Sequence, residues 1–367
     1  MNTMAMGQTA VTGLNEFQGH DLYVALQVLR NEQPRLRARD AAAQLSVSEA
    51  ELLACRVGED ALRLRTNWQE LLPELLTLGE VMVLTRNEHC VHERHGYYRE
   101  TTITPNGKMG LVVSPDIDLR LFLSGWRSAY ALSEETRRGI QRSVQFFDGQ
   151  GSAVHKVFLT DNSDLAAWHA LVERFAAAEQ TSELTVEAAP QKTAELPDEQ
   201  INVAVLRERW AALKDTHHFF SLLKKVQATR TQALRLAGRK WAEPLSVDSL
   251  PQLFEQASAQ QLPIMVFVGN DHCVQIHSGT VTNLRWVGDW FNVLDPEFSL
   301  HLKAHAIAQL WRVRKPTTDG VITSWEAYDA QGELIVQLYG VRKPGIPECA
   351  KWRALAESFS ALTAAEA

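Results

Sequence analysis

The stretch MVLTRNEHCV at residues 82–91 returns as MVFVGNDHCV at 265–274, with six of ten positions identical. Working outward, SPDIDLRLFL (114–123) stands against DPEFSLHLKA (295–304), and FFDGQG (146–151) against AYDAQG (327–332). Further on, AAWHALVERF (166–175) stands against AKWRALAESF (350–359). The order is kept and the offset drifts only between 181 and 184 residues. Chance does not sustain four such blocks, so most of this 367-residue chain is one unit written twice.

Each copy reads the same way. A helical region opens it, a strand-rich middle follows, and an amphipathic helix closes it. VMVLT and IMVFVG are dense in β-branched residues, and SAVHKVFLT and ELIVQLYG follow D-x-Q-G turns. Short strands joined by glycine-containing turns predict antiparallel meanders, not βαβ units. In the closing helices Trp168, Leu171, Val172 and Phe175 share a face, as do Trp352, Leu355, Ala356 and Phe359. The fold class expected is α+β: a tandem repeat, each half a large antiparallel sheet flanked by helices. Residues 177–200, AAEQTSELTVEAAPQKTAELPDEQ, have few large apolar side chains and read as an exposed linker between domains 1–176 and 201–367.

Composition narrows the function. The 37 Lys+Arg against 44 Asp+Glu leave a formal charge of −7, which argues against a dedicated nucleic-acid binder. The four cysteines are far apart and form no C-x-x-C pair, so neither a disulfide framework nor a cysteine zinc site is expected. The N-terminus MNTMAMGQTAVTGLNEFQGH lacks the pattern of a signal peptide, and no apolar run reaches the length of a membrane span. A cytoplasmic protein is the simplest reading. No P-loop, G-x-G-x-x-G, H-E-x-x-H or G-x-S-x-G is present. His89, His92 and His95 in HCVHERH lack a surrounding carboxylate cluster, and the copied N-[ED]-H-C-V block argues for a shared turn.

A doubled unit offers a cleft at its seam, and a single ligand should make the copies diverge where it binds. Residues 203–225 read as one amphipathic helix with Trp210, Leu213, His217 and Phe220 on one face. The first copy has no histidine at the comparable place. A neutral imidazole in such a wall suits axial ligation of haem iron; a core histidine with a polar hydrogen bond suits the helix pattern as well. Lys224, Lys225 and Arg230 follow, and could answer carboxylates or simply end a solvated basic helix. Arg312, Arg314 and Lys315 come later. Gln337 and Tyr339 share a strand face, with Arg342 just beyond, and Tyr339 stands where the first copy has Phe158.

At this point the sequence resembles the cytoplasmic haem-utilisation proteins of Gram-negative bacteria, known as hemin-degrading factors or haem-trafficking proteins. The resemblance runs from ARDAAAQL (38–45) to KWRALAESF (351–359). Its specific blocks include RNEHCVHE, DLRLFL, VQFFDGQG, TDNSDLAAW, DTHHFF, RKPTTDGVITS and AQGELIVQLYGVR. It implies two similar halves with haem b in a cleft of the second. The family's axial histidine falls on His217, and its distal arginine, supplied by the first half, on Arg120. Its propionate-side and pocket residues fall on Arg230, Lys315, Gln337, Tyr339 and Arg342. His218 beside His217 is a local feature of this sequence, since other family members can have a different residue there, and is a candidate alternate iron ligand that could permit ligand exchange during transfer.

Two jobs follow from the resemblance. One is oxidative haem cleavage by a monooxygenase fed by an external electron donor, with Arg120 on the oxygen side. The other is non-enzymatic carriage of haem from an inner-membrane ABC importer to a separate haem oxygenase, by a monomer or dimer. The first is the leading expectation, the second its alternative, and a cofactor-free structural or regulatory protein the third.

Overall fold

The computed structural model describes residues 18–191, 194–343 and 345–363. Most of the N-terminal stretch read above for a signal peptide lies outside the described residues. No described helix is long and apolar enough to cross a membrane.

The first repeat opens with three helices, α1 (Gly19–Glu32), α2 (Ala38–Gln44) and α3 (Glu49–Ala54). Strand β1 (Ala61–Leu64) and helix α4 (Trp68–Glu74) follow. Then come β2 (Gly79–Arg86), β3 (Cys90–Tyr97), β4 (Thr101–Ile103), β5 (Met109–Val113), β6 (Asp118–Phe122), β7 (Trp126–Thr136), β8 (Gly139–Asp148) and β9 (Ala153–Ser163), closed by α5 (Leu165–Phe175). The second repeat has α6 (Val203–Ala211), α7 (His218–Val226), α8 (Arg230–Ala237), β10 (Ala242–Leu245) and α9 (Ser249–Ala259). Its strands continue as β11 (Ile264–Asn270), β12 (Cys273–Gly279), β13 (Leu284–Val287), β14 (Trp290–Leu294), β15 (Phe298–Lys303), β16 (Gln309–Thr317), β17 (Gly320–Tyr328) and β18 (Leu334–Gly340). Helix α10 (Ala350–Glu357) ends it.

The two sheets are antiparallel and helix-flanked, as the repeat predicts. Each, however, is built from both repeats. One runs β1-β7-β8-β9-β2-β3-β15-β14-β13, and the other β10-β16-β17-β18-β11-β12-β6-β5-β4. Three strands of each repeat thus join the other repeat's sheet. The exchange leaves packing with the parent: Val112, Leu119 and Leu121 of β5 and β6 bury one face in the first repeat's core beside Trp126 and Phe146. Their opposite face is free to line something else, because side chains alternate along a strand.

The copied N-[ED]-H-C-V block is the tie at this exchange. Asn87 Oδ1 accepts from the backbone N–H of His89 and Cys90, making the β2–β3 turn, while its Nδ2 donates to the Gly269 and Ile335 carbonyls of the other sheet. Asn270 repeats the pattern, accepting from His272 and Cys273 and donating to the Arg86 and Val154 carbonyls. Asn270→Ala strands those backbone groups in a covered seam, where an unmade hydrogen bond costs about 1–3 kcal/mol. We expect a loss of roughly 3 kcal/mol in urea unfolding; a loss indistinguishable from that of an exposed Asn→Ala control would deny the tie any weight.

The segment 177–200 is held at several points. The Glu187 backbone N–H donates to the Gly149 carbonyl, and Arg127 pairs with Glu187. At its far end Glu195 and Asp198 bind Arg235, and Gln232 donates to the Leu196 carbonyl.

Candidate functional site

A cleft of about 1360 Å³ opens over the free face of the second sheet. That exceeds the ~300–1,000 Å³ of most small-molecule sites. Phe267 on β11, Val274 on β12 and Gln337 on β18 form its floor; Met109 on β5 and Phe122 on β6 bring in the first repeat. Phe219, Phe220 and Leu223 of α7 and Arg230 of α8 cover it from the second. At the opposite end Glu49 of α3 and Arg86 of β2 reach the same cavity.

His217 lines this cleft, but not from inside a helix. The single helix expected over 203–225 is broken: α6 stops at Ala211 and α7 starts at His218. Asp215 offers the backbone a competing partner. Its Oδ1 accepts from the His217 backbone N–H at 2.8 Å and lies 2.6 Å from the His217 ring Nδ1. The break sorts the aromatic residues. Trp210 and Phe219 bury each other edge to face at 4.7 Å, whereas Phe220 is exposed at the mouth of the cleft. The His217 side chain is 84% exposed. With Asp215 on Nδ1, the ring keeps Nε2 for a metal, the outer-carboxylate arrangement common among ligating histidines. His218 is exposed and is not part of the cleft lining.

Arg120 lies on the exchanged strand β6 and is not among the residues that line the cleft. It pairs directly with Val274 on β12, so the two share the cleft-facing side. Its guanidinium is folded back on Asp118 of the same strand. Burial raises the Asp118 carboxyl, and Arg120 partly offsets the rise.

The second repeat's charges cluster beside the cleft, on the sheet face that Gln337 shares with its strand partner Glu326. Glu326 is fully buried and accepts from Lys315 Nζ at 2.5 Å, from Ser324 Oγ at 2.8 Å and from the Tyr328 hydroxyl at 2.5 Å. Burial alone would raise the Glu326 carboxyl, but Lys315 and Arg230 hold it well below the usual carboxylate range. Lys315, 2% exposed, is spent on this carboxylate and does not line the cleft. Arg230 does line it. Its Nε is 3.7 Å from Glu326, too far for a hydrogen bond, and has no other partner among the described residues. Gln337 lines the cleft too, and its Nε2 is likewise buried without a partner. Both residues line the cleft, but these two nitrogens are themselves covered, and Arg230 Nε is turned toward Glu326.

Tyr339 is on the same strand face as Gln337 but does not line the cleft; its ring is 4.9 Å from Phe267, and burial pushes its hydroxyl up. Strand β18 ends at Gly340, so Arg342 lies beyond it and sits 3.9 Å from Asp319. Lys224 lines the cleft mouth over the Phe220 ring at 4.7 Å. Arg312 and Arg314 are engaged elsewhere, with Glu243. His92 is buried against Phe298, and among the described residues no group of three His, Cys, Asp or Glu side chains is placed to share a metal ion. The fully buried Cys90 and Cys273 have thiols pushed up by burial, which makes them inert core residues.

Comparison with known proteins fits this geometry. Residues 46–175 and 227–359 each match the Haemin-degrading HemS.ChuX domain. The chain belongs to this haem-utilisation family. Among members of the family, hemin transport protein HmuS of Yersinia pestis is 43% identical over 333 residues, covering 90% of this chain and 95% of that protein. The solved structure of holo-PhuS, a heme-binding protein from Pseudomonas aeruginosa, shares 66% identity with a TM-score of 0.92, covering 93% of this chain and 99% of that one. ChuS, the heme degrading enzyme of Escherichia coli O157:H7, shares 39% identity with a TM-score of 0.84, over 93% and 99%.

Sequence reading missed three residues of the haem-utilisation fold's cleft region. Asp215 carried a signal, since an Asp two residues before the site histidine commonly binds the backbone and breaks a helix. Glu326 and Glu49 were visible only through the repeat: 181 residues separate Glu326 from Gln145, and Arg230 from Glu49.

Proposed function

We propose that the chain is a cytoplasmic haem carrier of iron acquisition, binding one haem b as cargo in this cleft and passing it on intact. The observation that carries the reading is the His217 turn. An imidazole held by Asp215 on one nitrogen, exposed at the mouth of an aromatic cleft, is accessible both to iron and to a receiving protein. The residues fit the group. Phe220, Phe267, Val274 and Phe122 offer apolar faces to a macrocycle, and Arg230, Gln337 and Lys224 are polar side chains of the same lining that its carboxylates would meet. Lys315 and Glu326 act behind Arg230. Carriage is further supported by higher identity to a protein described as heme-binding than to one described as heme degrading. Its partners would be an inner-membrane haem importer on one side and a haem oxygenase on the other.

Oxidative cleavage is the second reading, favoured by Arg120 on the cleft side of β6, where a cation would stabilise negative charge on bound oxygen. It would require an external electron donor. A single-turnover assay with haem, reductant and catalase separates the two. Carriage expects intact haem and rapid transfer to a haem oxygenase. An open-chain tetrapyrrole with iron release would overturn it. Arg120→Ala is expected to leave haem affinity within about threefold, a change of under 1 kcal/mol. A changed product profile in that variant would argue for cleavage.

A further inference from the structure

The two ends of the cleft are related by the repeat, and each sets one carboxylate between two cations, Glu49 between Arg86 and Lys156, Glu326 between Lys315 and Arg230. Helices α3 and α8 occupy matching places, each starting after a hydroxyl N-cap, Ser48 and Thr229. The next residue is Glu49 in one and Arg230 in the other. Strands β9 and β18 match in register: Lys156 pairs with Gln145, and Gln337 pairs with Glu326. The second repeat therefore turns a cation and a neutral amide to the cleft, with its carboxylate Glu326 off the lining, where the first turns the carboxylate Glu49 to it. Arg86 completes the first-repeat end; the matching position in the second repeat is Gly269. Arg86 and Lys156 both hold the Glu49 carboxylate, Lys156 at 3.2 Å. The three side chains are only 10, 15 and 11% exposed for Glu49, Arg86 and Lys156, and Glu49 and Arg86 line the same cleft as Arg230.

Two cations converging on one carboxylate in a covered site is how proteins bind carboxylates. We propose that the first-repeat end of the cleft is a carboxylate site filled from within the chain by Glu49, and that Glu49 thereby directs a ligand's carboxylates to the Arg230 end. Only the ligand's identity rests on the haem reading. With Glu49 in place the first-repeat arginines that meet the cleft are held by carboxylates that also line it, Arg86 by Glu49 and Arg39 by Glu88, whereas at the Arg230 end the carboxylate, Glu326, does not line it. Without it both ends are cationic, and a flat ligand with carboxylates on one edge has two seats to choose from.

Glu49→Ala with formate as the probe tests the site directly, because the lost carboxylate leaves a space that formate fills. Formate is expected to raise the Tm of the variant by about 3–5 °C over chloride at equal ionic strength, with no difference in the wild type. An equal response to both salts overturns the proposal. Should the variant not fold, refolding in formate but not in chloride supports it, and recovery in neither overturns it. The directing role is read in haem titrations. Arg230→Ala should weaken haem binding about tenfold in the wild-type background and less than about threefold in Glu49→Ala, since the carboxylates then have a second seat. Equal losses in the two backgrounds overturn it. Were the haem reading itself at fault, neither protein would take up haem, and the formate result would stand unaffected.

Discussion

His217→Ala is expected to abolish the histidine-ligated Soret spectrum of the haem complex and to weaken affinity on the order of 100-fold, about 3 kcal/mol. The size follows from removing an iron–nitrogen bond rather than an apolar contact. His169→Ala is the control, since His169 is exposed on α5 and outside the cleft; equal effects of the two substitutions would sink the assignment. Asp215→Ala should reproduce part of the loss, because an outer carboxylate orients the ring and its removal commonly costs about 10–100-fold. A histidine spectrum that survives in His217→Ala and vanishes only when His218 is also replaced would make His218 the ligand.

Glu326→Ala is expected to destabilise the fold by about 3–5 kcal/mol in urea unfolding. Lys315 is buried with Glu326 as its partner, and Arg230 leans on the same carboxylate. Deleting the anion leaves buried cations uncompensated, whereas deleting Lys315 along with it, as Lys315→Met with Glu326→Leu, should recover most of the loss. A single substitution costing less than about 1 kcal/mol would mean that water reaches and screens the cluster. The pH dependence has a definite sign. Because the folded-state carboxyl is depressed below its usual 4.5, the stabilisation is complete above that pH and is lost only as the pH falls into strong acid.

What was legible in the sequence was local. Repeated blocks exposed the duplication, β-branched runs and D-x-Q-G turns announced the antiparallel strands, and the faces of α5 and α10 were read from helical spacing. Trp168, Leu171 and Phe175 are buried as that spacing predicts, and so are Trp352 and Leu355. The helix over 203–225 failed because periodicity counts apolar residues but does not weigh one Asp against the backbone. The pairing of Lys315 with Glu326 was hidden for a different reason. A lysine on one strand says nothing of the acid on its neighbour until the register is known, and the register here places Lys315 opposite Ile322, with Glu326 further along β17.

By itself, then, the sequence determined that one α+β unit is used twice, that its strands run antiparallel, and that the copies differ at His217 and at Tyr339. Those are properties of periodicity, turn chemistry and comparison along one chain. The tertiary structure alone decided that β4 to β6 leave their own repeat's sheet, carrying Met109 and Phe122 to the cleft that His217 faces. Hydrogen bonding between strands uses backbone groups that every residue has, so the choice of neighbour is written not in the strand's own residues but in which faces the two cores leave free.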